Sequence, residues 1–121
     1  MVLFSFALVL ARVVAVAAGP RENPEKPYAL IYGTVWGPDD HPLYGVKVKI
    51  RRADQKKAKW ELYSDRRGEF AQRVPAGAAD YIIWAEIKGY KLPDGRHLQS
   101  GSQTTVHVDN DEREDVGLHL K

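Results

Sequence analysis

No cysteine occurs anywhere among the 121 residues. That excludes disulfides, thiolate metal sites and a lipid-anchored cysteine, so the fold must be held together by burial alone. An excess of charge of one sign is missing too, since 18 Lys and Arg stand against 16 Asp and Glu. A nearly neutral chain offers no general electrostatic attraction for nucleic acid or anionic membranes. No segment carries a convincing helical period, and no internal repeat is visible. The length suits one domain with a single core.

What is present begins with an apolar run, Val2 to Ala18, that stops at Gly19-Pro20. It ends in Ala15-Val16-Ala17, a small-x-small pattern, so residues 1–18 read as a secretory signal peptide and the mature chain is expected to start at Ala18 or Gly19. The run has no Lys or Arg before it and carries Arg12 inside it, which leaves an uncleaved anchor or a mis-set start codon as the competing readings. A run this short with an internal charge spans a bilayer poorly. Losing it removes Arg12 and leaves 17 basic against 16 acidic side chains, a net charge of +1. Residues 19–27 combine three prolines with four charges and read as an extended linker to a domain at 28–121. A secreted, periplasmic or extracellular location follows, with no membrane span after cleavage.

From residue 28 onward apolar residues recur at period two between turns about ten residues apart, the pattern of short antiparallel strands in a sandwich. The first strand is expected near Tyr28–Trp36, with Ile31, Gly33 and Val35 toward the core and Tyr32, Thr34 and Trp36 outward. The second, near Gly45–Arg52, turns Val46, Val48 and Ile50 inward and the basic stripe Lys47, Lys49 and Arg51 to solvent. Strands follow near Ala58–Ser64, with Trp60 and Leu62 inward, and near Glu69–Val74, anchored by Phe70. The longest, Asp80–Lys88, directs Tyr81, Ile83, Ala85 and Ile87 inward and Ile82, Trp84 and Glu86 outward. Two last strands, Thr104–Val108 and Val116–Leu120, are expected to form a hairpin through the acidic turn 109–112. Gly68 is able to adopt the positive φ of a tight turn, and Asp65 to accept a backbone hydrogen bond there. The expectation is an all-β, seven-stranded Greek-key sandwich.

The ordered set Gly33, Pro42-Leu43, Gly45, Val48, Asp65, Gly68, Phe70, Pro75, Gly77, Tyr81 and Gly89-Tyr90 resembles the carboxypeptidase regulatory-like domain, a transthyretin-like β-sandwich. The resemblance is carried by residues 31–90 and, by strand pattern only, by 102–120. The chain departs from it at Asp40, where relatives usually place glycine, and in two extra residues at Ala78-Ala79-Asp80. The resemblance implies an accessory module without catalytic residues or cofactor, working by binding. The C-terminal Tyr-Arg-Gly-Ser of transthyretin-like hydroxyisourate hydrolases is missing, since this chain ends Leu118-His119-Leu120-Lys121.

Among candidate sites, outward aromatics lead. Tyr32, Trp36 and Trp84 fall on the non-core side and Tyr44 lies in the first turn. Flat exposed rings stack on sugars or anchor a protein partner, although cross-strand aromatic pairs also stabilise an outer face. A glycan is therefore the first expected ligand and an extracellular protein, in adhesion or assembly, the second. His107 and His119 sit on the two strands of the expected hairpin, where their rings could approach across one face. As metal ligands they would need a third, such as Asp109 or Asp115. The acidic clusters Asp39-Asp40 and Asp109-Asn110-Asp111-Glu112 match no calcium-loop spacing and are explained by turn chemistry. No motif assembles the groups of an acid–base or nucleophilic enzyme.

Overall fold

The structure is a computed structural model and describes residues 26–99 and 101–121, so the expected signal peptide and most of the linker lie outside the described residues. Seven strands form in chain order: β1 Tyr28–Trp36, β2 Lys47–Arg52, β3 Trp60–Tyr63, β4 Glu69–Pro75, β5 Ala79–Glu86, β6 Gln103–Val108 and β7 Arg113–His119. They divide into a three-stranded sheet, β4-β1-β7, and a four-stranded sheet, β3-β2-β5-β6. The two inner faces share one apolar cluster, in which Ile31, Val35, Val48, Ile50, Tyr81, Ile83 and Leu118 are fully buried. Every inward residue expected on β1, β2 and β5 faces this core, with Ile87 only partly covered. No helix long and apolar enough to cross a membrane occurs among the described residues.

Turn chemistry explains the corners. Asp40 adopts φ of 60°, as its place in the first turn requires, because its short polar side chain tolerates the left-handed region. Asp65 Oδ1 accepts the backbone N–H groups of Arg67 at 2.8 Å and Glu69 at 2.9 Å, closing the β3–β4 turn. Ser64, buried at 2% exposure, donates to the Leu43 carbonyl at 2.6 Å and accepts from the Val46 N–H at 2.9 Å. These bonds tie the first loop to the end of β3, so a buried hydroxyl is fully used. Gly33 serves packing instead of a turn. A Cβ there would stand 2.7 Å from both Phe70 Cε2 and Val116 Cγ2, so the missing side chain is the room that Phe70 fills.

The end of the chain departs from the expected hairpin. β6 pairs antiparallel with β5, whereas β7 crosses to the other sheet and pairs parallel with β1, from Leu30↔Arg113 to Trp36↔His119. β7 also begins at Arg113, earlier than its apolar pattern starts, because ladder pairing with β1 is made by backbone and tolerates the solvent-facing Arg113 and Asp115. His107 and His119 consequently sit in different sheets and form no ligand pair.

Candidate functional site on the outer face of the three-stranded sheet

β1 is the central strand of its sheet, so its outward residues Tyr32 and Thr34 are flanked by both β4 and β7, and Trp36 by β7. The parallel register sets Asp115 beside Tyr32, Gly117 beside Thr34 and His119 beside Trp36. Alternation along each strand brings all six side-chain positions to one face.

The middle of this face is locked. The Tyr32 hydroxyl donates to Glu69 Oε1 at 2.7 Å, and the Arg113 guanidinium lies 4.3 Å from the Tyr32 ring centroid. Arg113 Nε in turn donates to Asp115 Oδ1 at 2.8 Å. The bond to Glu69, first, and partial burial raise the Tyr32 pKa, while Asp115 raises that of Arg113. A line of contacts thus runs from β4 through β1 to β7, and the Tyr32 ring already carries a cation on its face.

The upper end is open in a different way. The Trp36 and His119 rings lie nearly parallel, 14° apart with centroids separated by 6.3 Å. Gly117 leaves a notch between them: a Cβ placed there would be 3.3 Å from His119 Nε2 and 3.7 Å from Trp36 Nε1. Two ring nitrogens therefore border the same small space, one an obligatory donor and the other donor or acceptor according to tautomer. Thr34 sits in register beside Gly117 on the same face. The arrangement offers an apolar ring surface with polar edges, which suits a ligand carrying hydroxyl groups on an otherwise flat ring.

The other expected residues are not gathered here. Trp84 lies on β5, on the outer face of the four-stranded sheet, opposite Lys49. That face is occupied by ion pairs, Lys49 with Glu86 at 3.1 Å and Lys47 with Glu86 at 3.7 Å. The bond to Glu86 raises the Lys49 pKa, and the Glu86 carboxyl is correspondingly lowered. Tyr44 is 62% exposed in the first loop, with the Arg66 guanidinium 5.8 Å from its ring centroid. The four outward aromatics are thus split over three regions and do not form one platform. Sequence reasoning missed Gly117 and His119 as partners of Trp36. The isolated glycine in a strand pattern was the available signal, since it marks close approach of a neighbour.

His107 is held between two carboxylates, Nδ1 at 2.6 Å from Asp80 Oδ1 and Nε2 at 2.7 Å from Asp109 Oδ1. These bonds, that to Asp80 first, raise its pKa. With both nitrogens engaged on opposite edges of the ring, the group is a clasp between β5, β6 and the following turn. Among the described residues no cluster of three or more His, Asp or Glu has the geometry of a metal site.

The chain matches no protein-family model, and no curated protein matches it significantly. Solved structures do share its architecture. The Klebsiella pneumoniae 5-hydroxyisourate hydrolase is similar at a TM-score of 0.57 and 17% identity, over 77% of this chain and 91% of that one. The fold is the transthyretin-like sandwich. BcpA, the major pilin subunit of Bacillus cereus, contains a similar sandwich at a TM-score of 0.57 and 17% identity, over 78% of this chain but only 31% of the pilin. A candidate carbohydrate-binding protein of Pseudomonas aeruginosa is similar at 0.50 and 16% identity, over 79% of this chain and 90% of that one. At such identities the transthyretin-like likeness establishes architecture, and chemistry has to be read from the residues themselves.

Proposed function

We propose that this transthyretin-like sandwich is an exported, non-catalytic binding module whose ligand is an extracellular or cell-wall glycan. The observation that carries the reading is the Gly117 notch, where Trp36 Nε1 and His119 Nε2 converge beside two nearly parallel rings. Sugar rings present apolar faces and hydroxyl edges, and this site presents a ring surface and polar edges in return. The likeness to a candidate carbohydrate-binding protein supports the ligand class. A non-catalytic role is supported by the histidines: His107 is clasped by carboxylates and His119 is stacked on Trp36, while His41 lies in the first loop and His97 in the β5–β6 loop. Acid–base catalysis needs such groups converging on one substrate atom.

The test is retention on a glycan array and on insoluble polysaccharides. Trp36→Ala and Gly117→Val, which removes the ring or fills the notch, are expected to abolish retention. Trp84→Ala, on the opposite face, is expected to leave it unchanged. Retention indifferent to both Trp36→Ala and Gly117→Val would remove this face from consideration. The second reading, an adhesion or assembly module, is favoured by the similar sandwich within a pilin. Absence of retention on every glycan, with a protein recovered by cross-linking, would select it.

A further inference from the structure

A second candidate cleft lies away from that notch. It opens where β3 and β4, edge strands of different sheets, diverge at the lower end of the sandwich, and it encloses about 580 Å³. Val74, Pro75 and Ala76 line it together with Tyr28 and Trp60. Trp60 is braced from behind, its ring tilted at 60° against the buried Tyr81 ring with centroids 5.8 Å apart. Three cations complete the lining, Lys26, Lys59 and Arg73, and none of the lining residues is acidic.

Two of those cations rest against the aromatic rings of the lining. The Arg73 guanidinium lies 4.4 Å from the Tyr28 ring centroid, and Lys59 Nζ lies 5.4 Å from that of Trp60. A guanidinium resting on a ring keeps the N–H donors at its edge available, in a geometry that matches a carboxylate. The volume is that of a small-ligand site. A peptide adding itself as a strand here would find a donor missing, because Pro75 on the edge strand β4 has no N–H to give. We propose that this cleft binds a carboxylate-bearing oligosaccharide of the uronate class, the acid group held by Arg73 and Lys59 and the sugar body lying against Val74, Pro75 and Ala76. The site is separate from the Gly117 notch and stands or falls independently of it.

The full chain is titrated calorimetrically with trigalacturonate, with galactotriose as the neutral counterpart and a hexaglutamate peptide as the acidic non-sugar. Trigalacturonate is expected to bind, and to bind more weakly as salt screens the cations. Galactotriose is expected to show no binding in this cleft. Arg73→Gln and Lys59→Gln retain most of each side chain at exposed positions, and each is expected to weaken trigalacturonate by about tenfold or more. Circular dichroism and thermal melting of both variants check that they remain folded. Gly117→Val is expected to leave trigalacturonate binding intact, which separates this cleft from the notch. Equal affinity for acidic and neutral trisaccharides, or no loss in Arg73→Gln and Lys59→Gln, would overturn the proposal. Tighter binding of hexaglutamate than of trigalacturonate would replace the sugar with an acidic peptide and overturn it equally.

Discussion

At Gly33 the side chain of another residue occupies the space that a Cβ would take. Its neighbours are the Phe70 ring, packed in the core at 4% exposure, and Val116, and neither can retreat without disturbing the contact between β1 and its two partners. Gly33→Ala is therefore expected to destabilise the fold by about 1–3 kcal/mol through overpacking, measured by urea denaturation. Combining it with Phe70→Leu should cost less than the two single changes added together, because the smaller side chain relieves the same crowding. Strict additivity would mean that the glycine serves some other purpose. At this scale much was visible in the sequence. Asp40, Asp65 and Phe70 do what their residue types suggest, since turn geometry and burial are local demands. Ser64 carries no such signal, because a serine between strand and turn looks the same whether it faces water or the Leu43 carbonyl.

Period-two alternation made β1, β2 and β5 legible, because each presents one face to the core and the other to water. The pairing of strands was not legible in the same way. Adjacent strands with an acidic turn between them suggest a hairpin, the commonest solution. Nothing local records that β7 instead joins β1 across a separation of some eighty residues. That one pairing explains why the notch was only half anticipated. Trp36 follows from alternation on β1, but His119 and Gly117 reach it only through the β1–β7 register. The cleft between β3 and β4 was hidden for a similar reason, as its walls come from strands in different sheets. The β5–β6 register, which sets Asp80 opposite His107, gives His107 its role as a clasp among Asp80, Asp109 and the turn that Glu112 closes by accepting the N–H groups of Asp109 and Asn110. Its folded pKa lies above the ordinary histidine value of about 6.5, so the folded state binds the proton more tightly than the unfolded one. The added stability is complete below about pH 6.5 and is lost as pH rises through the folded value. An NMR titration should place the His107 midpoint above 6.5, whereas a midpoint at or below it would show that the carboxylates do not hold the ring. The melting-temperature gap between the wild-type chain and His107→Gln should shrink as the solution becomes alkaline.

Across the whole molecule, β1 and β7 run side by side in the same direction. The chain enters β1 at Tyr28, at one end of the sandwich, and leaves β7 at His119, at the other. Tension applied between residues 26 and 121 is therefore directed along the ladder from Leu30↔Arg113 to Trp36↔His119, and its hydrogen bonds must slide past one another together. Pulling instead on Ala79 and Val108, register partners at the same end of an antiparallel pair, would peel bonds apart one by one. Single-molecule stretching should give a clearly higher rupture force in the first geometry, and equal forces would show that the β1–β7 ladder is not the clamp. A sandwich wired in this way would resist being drawn taut most strongly along the direction of its β1–β7 ladder.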